Sequence, residues 1–157
     1  MSSTLEIRQA RVDEAPLLTE LTVRSKCYWG YDASFLADAR KELEFLPNKF
    51  EPDFHVYVLQ ECGQIMGFCS LIPRNHEAIE LHDLFIEPEH IGKGYGKLLW
   101  EYSVKLAREL GFARLFLTAD PNAEPFYERQ GAVRISENES PVRSGRKLPV
   151  MEYLLAS

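Results

Sequence analysis

Gly92, Gly94 and Gly96 alternate with other residues in PEHIGKGYGKLLW, residues 88–100, just ahead of apolar residues at helical spacing. A helix N-terminus leaves N–H groups without intrahelical partners and carries partial positive charge, so a glycine turn ahead of one suits phosphate. Glycine also lets the backbone take positive φ and approach a ligand closely. Spacing excludes two nucleotide loops. A Walker A loop requires glycine where Ile91 stands and Ser or Thr where Leu98 stands. The dinucleotide fingerprint requires G-x-G-x-x-G near a first strand, whereas this chain has G-x-G-x-G in mid-chain. Spacing alone also leaves open a purely structural tight turn.

The elements around this turn follow from periodicity. TLEIRQA alternates as a first strand, and Asp13 is placed to cap a helix running to about Lys26, with Leu18, Leu21 and Ser25 on one side. YWGYD breaks that helix. Asp32 then caps a second one, with Phe35, Leu36, Ala39, Leu43 and Leu46 at helical spacing, ending at Pro47. HVYVLQECGQIMGFCSLIP reads as a hairpin about Cys62-Gly63-Gln64, and AIELHDLFIEP as a third antiparallel strand. Leu99, Tyr102, Leu106 and Leu110 mark a long amphipathic helix stopped by Gly111. ARLFLTA is apolar enough for a strand buried on both faces. Asn122 is placed to cap a short helix through Gln130, and AVRIS and LPVMEYLL close the sheet around a polar loop. The order is β-α-α-β-β-β-α-β-α-β-β, a mixed α/β arrangement.

The 157 residues suit one domain, 1–157, able to bury its own core. A net charge of −6 argues against sequence-independent binding to nucleic acid, while leaving room for an anionic small ligand held by local amides. Cys27, Cys62 and Cys69 form no CxxC pair and read as buried, reduced thiols. Neither a signal-peptide pattern nor a membrane-length apolar run is present, so the expectation is a cytoplasmic protein without a membrane partner.

Three features within residues 81–133 together resemble the GNAT superfamily of acyl-CoA-dependent N-acyltransferases. They are a strand ending in Ile86-Glu87-Pro88, the glycine turn with Gly94 and Gly96, and the later set Asn122, Phe126, Tyr127 and Gly131. The resemblance implies a mixed, mostly antiparallel central sheet with helices on both faces and splayed central strands. It implies acetyl-CoA as co-substrate and no metal, with transfer to the amine of a small molecule or protein by direct attack in a ternary complex. A non-catalytic acyl-CoA sensor or interaction module on the same fold is the alternative. The closing strands leave pairing into a homodimer open.

By the same resemblance, the pyrophosphate lies over Ile91, Gly92, Lys93, Gly94, Tyr95, Gly96 and Lys97, and the pantetheine arm pairs with the backbone of Leu84, Phe85 and Ile86. Asn122 contacts the arm or only caps its helix. Ile91 departs from the family's Arg or Gln, which moves the expected pyrophosphate contacts onto backbone amides. Lys93 and Lys97 stand beside the turn either as compensating charges or as solvated side chains. Tyr127 takes the position of the family's proton donor; as an arbitrary tyrosine it is a core aromatic. Strand alternation puts Glu80, His82, Leu84 and Ile86 on one face and Leu81, Asp83 and Phe85 on the other. By the resemblance Glu80 takes a position where some family members keep a catalytic glutamate, and His82 shares its face. Either of them or a water path would deprotonate the amine, the alternative being an exposed strand Glu and a hydrogen-bonded His. Tyr28, Trp29 and Tyr31 either line the acceptor pocket or plug the end of the core.

Overall fold

A computed structural model describes residues 5–35, 37, 54–140 and 145–155. In chain order these form β1 (Glu6–Gln9), a 3-10 turn (Val12–Glu14), α1 (Ala15–Tyr28), β2 (His55–Glu61), β3 (Gln64–Pro73) and β4 (Ala78–Ile86). A second 3-10 turn (Pro88–His90), α2 (Tyr95–Glu109), β5 (Arg114–Thr118) and a third 3-10 turn (Pro121–Ala123) follow. The chain closes with α3 (Glu124–Arg129), β6 (Val133–Glu139) and β7 (Lys147–Leu154). Residues 33–35 and 37 are helical, and the Phe35 N–H donates to Asp32 Oδ1 at 2.7 Å, as expected of an Asp32 cap. The remainder of the second expected helix, with Leu36, Ala39, Leu43 and Leu46, lies outside the described residues.

The strands build a seven-stranded sheet in the order β1-β2-β3-β4-β5-β7-β6. Every neighbouring pair is antiparallel except β4–β5. Cys62 and Gly63, with φ of 53° and 81°, make the β2–β3 turn; two successive positive φ angles match the right-handed twist of a tight hairpin. The two faces carry separate cores. On one, α2 presses Leu99, Trp100, Val104 and Ala107 against Leu71, Ile79, Leu81, Leu115, Leu117 and Met151. On the other, Leu18 and Leu21 of α1 meet Val56, Val58 and Phe68. Each fully buried leucine contributes about 2 kcal/mol through its apolar surface.

Several local expectations are corrected. The N-terminal entry to α1 is organised by Glu14, not Asp13: its buried carboxylate accepts from Arg11 N at 2.8 Å and from two nitrogens of Arg8 at 3.1 and 2.7 Å. Only Cys69 is a buried thiol; Cys27 and Cys62 are exposed. β5 buries Leu115 and Leu117, but Phe116 is only partly covered, so its burial is one-sided among the described residues. Asp120, not Asn122, caps the turn after β5, accepting from the Asn122 N–H at 2.8 Å.

The parity of β4 is also broken. Ser70 faces Asp83 while Leu71 faces Leu81, which leaves His82 as an extra residue, a β-bulge. Ile79 and Leu81 before the bulge, and Leu84 and Ile86 after it, all join the core under α2. Phe85 joins the other core beside its partner Phe68. Glu80 therefore shares a face with Asp83 and Phe85, not with Leu84 and Ile86.

Candidate active site

β4 pairs with β5 only over Ala78–Glu80 against Arg114–Phe116, although β4 continues to Ile86 and β5 to Thr118. A bulge sharpens twist and re-aims the strand that carries it, and this one falls two residues beyond the last parallel pair. Past that point the strands part around a cleft of about 690 Å³, lined by residues of both strands, the glycine turn, α1 and α3. β4 keeps its pairing with β3 out to Ile86, so along the cleft its other edge has no strand partner among the described residues.

One end of the cleft is the glycine turn. Gly92 and Gly94 have φ of 87° and 88°, and Gly94 is the N-cap of α2. The left-handed region costs an L-residue with a Cβ about 1–2 kcal/mol, which accounts for glycine here. The first bond of the helix runs from Leu98 N–H to Gly94 O at 3.2 Å. The N–H groups of Tyr95, Gly96 and Lys97 thus stand ahead of the helical ladder. At Gly96 a Cβ would come within 3.3 Å of the Phe126 ring, so its absence lets α2 begin tightly against α3. On the other side, Arg24 of α1 grips Glu87 through two nitrogens, at 2.9 and 2.6 Å, and pins the exit from β4.

Gly92, Gly94, Gly96, Lys97 and Ile91 line the cleft with Leu84, Phe85, Ile86 and Asn122. Lys93 and Tyr95 do not; Tyr95 instead packs edge-on against His90, with ring centroids 5.7 Å apart. Ile91 rests against the core under α2, so its side chain is spent on packing, as its type dictates.

Tyr127 is 7% exposed, lines the cleft and stacks edge-on against Trp100 and Phe126. Its hydroxyl makes no hydrogen bond among the described residues. Burial, reinforced by the thiol of Cys69 and the carboxylates of Asp83 and Asp120, pushes its pKa well above the ordinary tyrosine range. The group is therefore held as a proton-bearing phenol facing a cleft.

The two candidate bases separate. His82 lines the cleft from the bulge, with Nδ1 3.0 Å from Asp83 Oδ2, and the same carboxylate oxygen accepts from Ser70 Oγ at 2.6 Å. Glu80 lies outside the lining and is engaged by Arg74 at 2.6 Å. Strand alternation alone put both on one face; the bulge is what divides them.

At the C-terminal end of α1, Trp29 lines the cleft, whereas Tyr28 is turned outward and packs edge-on against Trp29 at 5.0 Å. Tyr31 stands behind the wall, its hydroxyl 2.8 Å from Asp120 Oδ2 and accepting from Asn122 Nδ2 at 3.0 Å. Sequence reasoning missed Lys26, Asp120 and Arg146, all of which line the cleft here. Lys26 Nζ lies 2.5 Å from Asp120, and Arg146 Nη2 donates to Tyr31 Oη at 2.7 Å. Burial alone would raise the Asp120 carboxyl, but Lys26, the Asn122 N–H and the Tyr31 hydroxyl outweigh it and hold it below the usual carboxylate range. The adjacency of Asp120 to Pro121-Asn122, a capping signal, was the one clue in the sequence. Nothing local marked Lys26 or Arg146.

A sheet with a single parallel pair that opens into a cleft, headed by a glycine turn, is an N-acetyltransferase fold. The structure of PaiA N-acetyltransferase from Thermoplasma acidophilum, determined with coenzyme A, superposes with a TM-score of 0.79 at 21% identity, covering 98% of this chain and 99% of that one. The sequence profile described as acetyltransferase (GNAT) family matches residues 20–132, and the chain belongs to that family. It is also similar to the peptidyl-lysine N-acetyltransferase YjaB of Escherichia coli K12, 34% identical over 110 residues, which is 68% of each chain. The YjaB of Salmonella typhimurium is 31% identical over 131 residues, 81% of this chain and 82% of that protein.

Proposed function

We propose that the protein transfers an acetyl group from acetyl-CoA to a primary amine by direct attack within a ternary complex. The observation that carries this reading is the opening between β4 and β5, which joins a glycine turn suited to a pyrophosphate with the hydroxyl of a buried tyrosine that has no hydrogen-bond partner among the described residues. The N–H groups at the start of α2 bind the pyrophosphate, and the Lys97 side chain adds charge at that end of the cleft. The unpaired edge of β4 at Leu84–Ile86 holds the pantetheine arm as an added strand would be held.

Bound there, acetyl-CoA supplies an acyl thioester activated toward nitrogen nucleophiles. His82, whose Nδ1 stands 3.0 Å from Asp83 Oδ2, accepts the proton that the acceptor's ammonium must lose before its nitrogen attacks. Tyr127 delivers a proton to the departing thiolate; its raised pKa keeps that proton in place through the neutral range. Glu80, held by Arg74, maintains the last turn of paired β4 instead of serving as base. The homology to peptidyl-lysine acetyltransferases supports a lysine-type ε-amine as one acceptor class.

The test is direct. Acetyl-CoA should raise the melting temperature of the protein, and CoA should be released on addition of an amine panel that includes lysine peptides. Stabilisation without release on any amine would reduce the protein to an acyl-CoA binder, and no stabilisation would remove the donor assignment altogether.

A further inference from the structure

The chain carries net negative charge, yet its cleft does not. Among the described residues lining it, Lys26, Lys97, Arg129 and Arg146 are cationic and Asp120 is the one carboxylate. The charges divide by position. Lys97 belongs to α2, which packs on one face of the sheet, and Lys26 to α1, which packs on the other. The cleft passes between those faces where β4 and β5 part, so the donor enters beside α2 and the α1 side is left to the acceptor.

On that α1 side the count is uneven. Asp120, 10% exposed, is already engaged by Lys26 at 2.5 Å, and the Lys26 side chain is itself only 14% exposed. Arg146 adds a second cation, 22% exposed, whose contact with Asp120 is long at 3.5 Å. Its two hydrogen bonds, to Tyr31 and to Asp120, both leave from Nη2. Nη1 and Nε have no partner among the described residues. The guanidinium is nevertheless fixed in place, lying over the rings of Tyr31 and Phe35 at 5.4 and 5.1 Å, and those rings are stacked at 4.4 Å. A planar, always-charged group anchored through Nη2, with the N–H groups of Nη1 and Nε unspent in a cleft wall, can donate a charge-assisted hydrogen bond to a carboxylate.

We infer that Arg146 is a specificity-determining residue that reads a carboxylate on the acceptor, so that the favoured substrates are amines whose own molecule carries a free carboxylate group. This rests on the acetyltransferase reading above and narrows its acceptor class. Lys26 and Asp120 serve as the support that aims Arg146, with Asp120 neutralised by Lys26 and the charge of Arg146 left for the ligand.

The experiment compares acceptors of equal amine chemistry in the presence of acetyl-CoA: Nα-acetyl-lysine against its amide, and an ω-amino acid against its methyl ester. Each free acid should exceed its neutral partner in kcat/KM by about 10-fold or more, mainly through KM, the scale of one charge-assisted hydrogen-bonded contact. Arg146→Gln should erase that gap while leaving the neutral partners within about twofold, which also reports that the variant is folded. Arg146→Lys, with the charge but not the planar group stacked on Tyr31 and Phe35, should keep part of it. Equal kcat/KM for acid and neutral partner in the unaltered protein overturns the inference, and so does an Arg146→Gln loss that falls equally on both. If no amine is acetylated, the acetyltransferase reading has failed instead. Calorimetry of the same acids against the CoA-loaded protein then decides the site: binding abolished by Arg146→Gln upholds it, and binding that is absent or unaffected by the variant overturns it.

Discussion

Two side chains of the cleft differ in the ionisation state in which the fold holds them. Tyr127 is kept neutral by burial, and Asp120 is kept ionised despite burial because Lys26, Tyr31 and the Asn122 N–H surround it. Tyr127→Phe removes only the proton and should lower kcat by about 10²-fold or more, the usual worth of a general acid, with acetyl-CoA affinity measured by calorimetry nearly unchanged. Collapse of binding would instead make Tyr127 a structural or cofactor contact. Asp120→Asn leaves Lys26 with a neutral partner and should cost about 1–3 kcal/mol in denaturant unfolding at neutral pH. The sign with pH follows from the lowered carboxyl. The ionised form stabilises the fold above the ordinary Asp pKa of about 3.9, and that advantage is lost as pH falls through the lower folded value. Stability curves of the two proteins should therefore converge in acid. A difference that grows below that range would contradict the assignment.

At the scale of elements, the bulge at His82 decides which β4 residues reach the cleft, and its neighbour β3 shows how little room the pairing allows. A Cβ on Gly67 would lie 2.6 Å from Ile86 Cδ1 and 2.7 Å from the Phe85 carbonyl oxygen. The side chain can yield but the backbone cannot without moving β4 where it leads into the glycine turn. Gly67→Ala should destabilise by about 1–3 kcal/mol and weaken acetyl-CoA binding together, as read by thermal unfolding with and without the ligand. What was legible in the sequence follows the same division. The glycine turn, the hairpin at Cys62-Gly63 and the helix Tyr95–Glu109 ahead of Gly111 are written in local residue types, because φ preference and 3.6-residue periodicity act within a few positions. The bulge is not, since HDL satisfies strict alternation until Ser70 and Leu71 fix which residues they face. Arg146 and Lys26 were equally silent, because their meaning depends on Asp120, which is distant from both in sequence.

Over the whole molecule, the family frame was readable from motif order, while the charge of the cleft was not: a chain of net −6 lines that cleft, among the described residues, with four cations and one carboxylate. Among the described residues no helix is long and apolar enough to cross a membrane. The sheet itself is two antiparallel sets, β1-β2-β3-β4 and β5-β7-β6, sewn together by a seam that ends at Glu80 and Phe116.

That short seam leaves the middle of the sheet without a strand pairing beyond Glu80, and in the proposed function the donor's arm takes that place. Backbone amides of β4 beyond Glu80 that face the gap have no strand partner among the described residues, so they should exchange hydrogen for deuterium quickly in the free protein. With acetyl-CoA bound, peptides covering residues 81–86 should slow markedly, while those covering Ala78–Glu80, already paired, should change little. Uniform slowing over both, or none over either, would mean that the gap is not where the arm lies. If the contrast holds, the time course of deuterium uptake in this one peptide reports occupancy of the donor site without any knowledge of the acceptor.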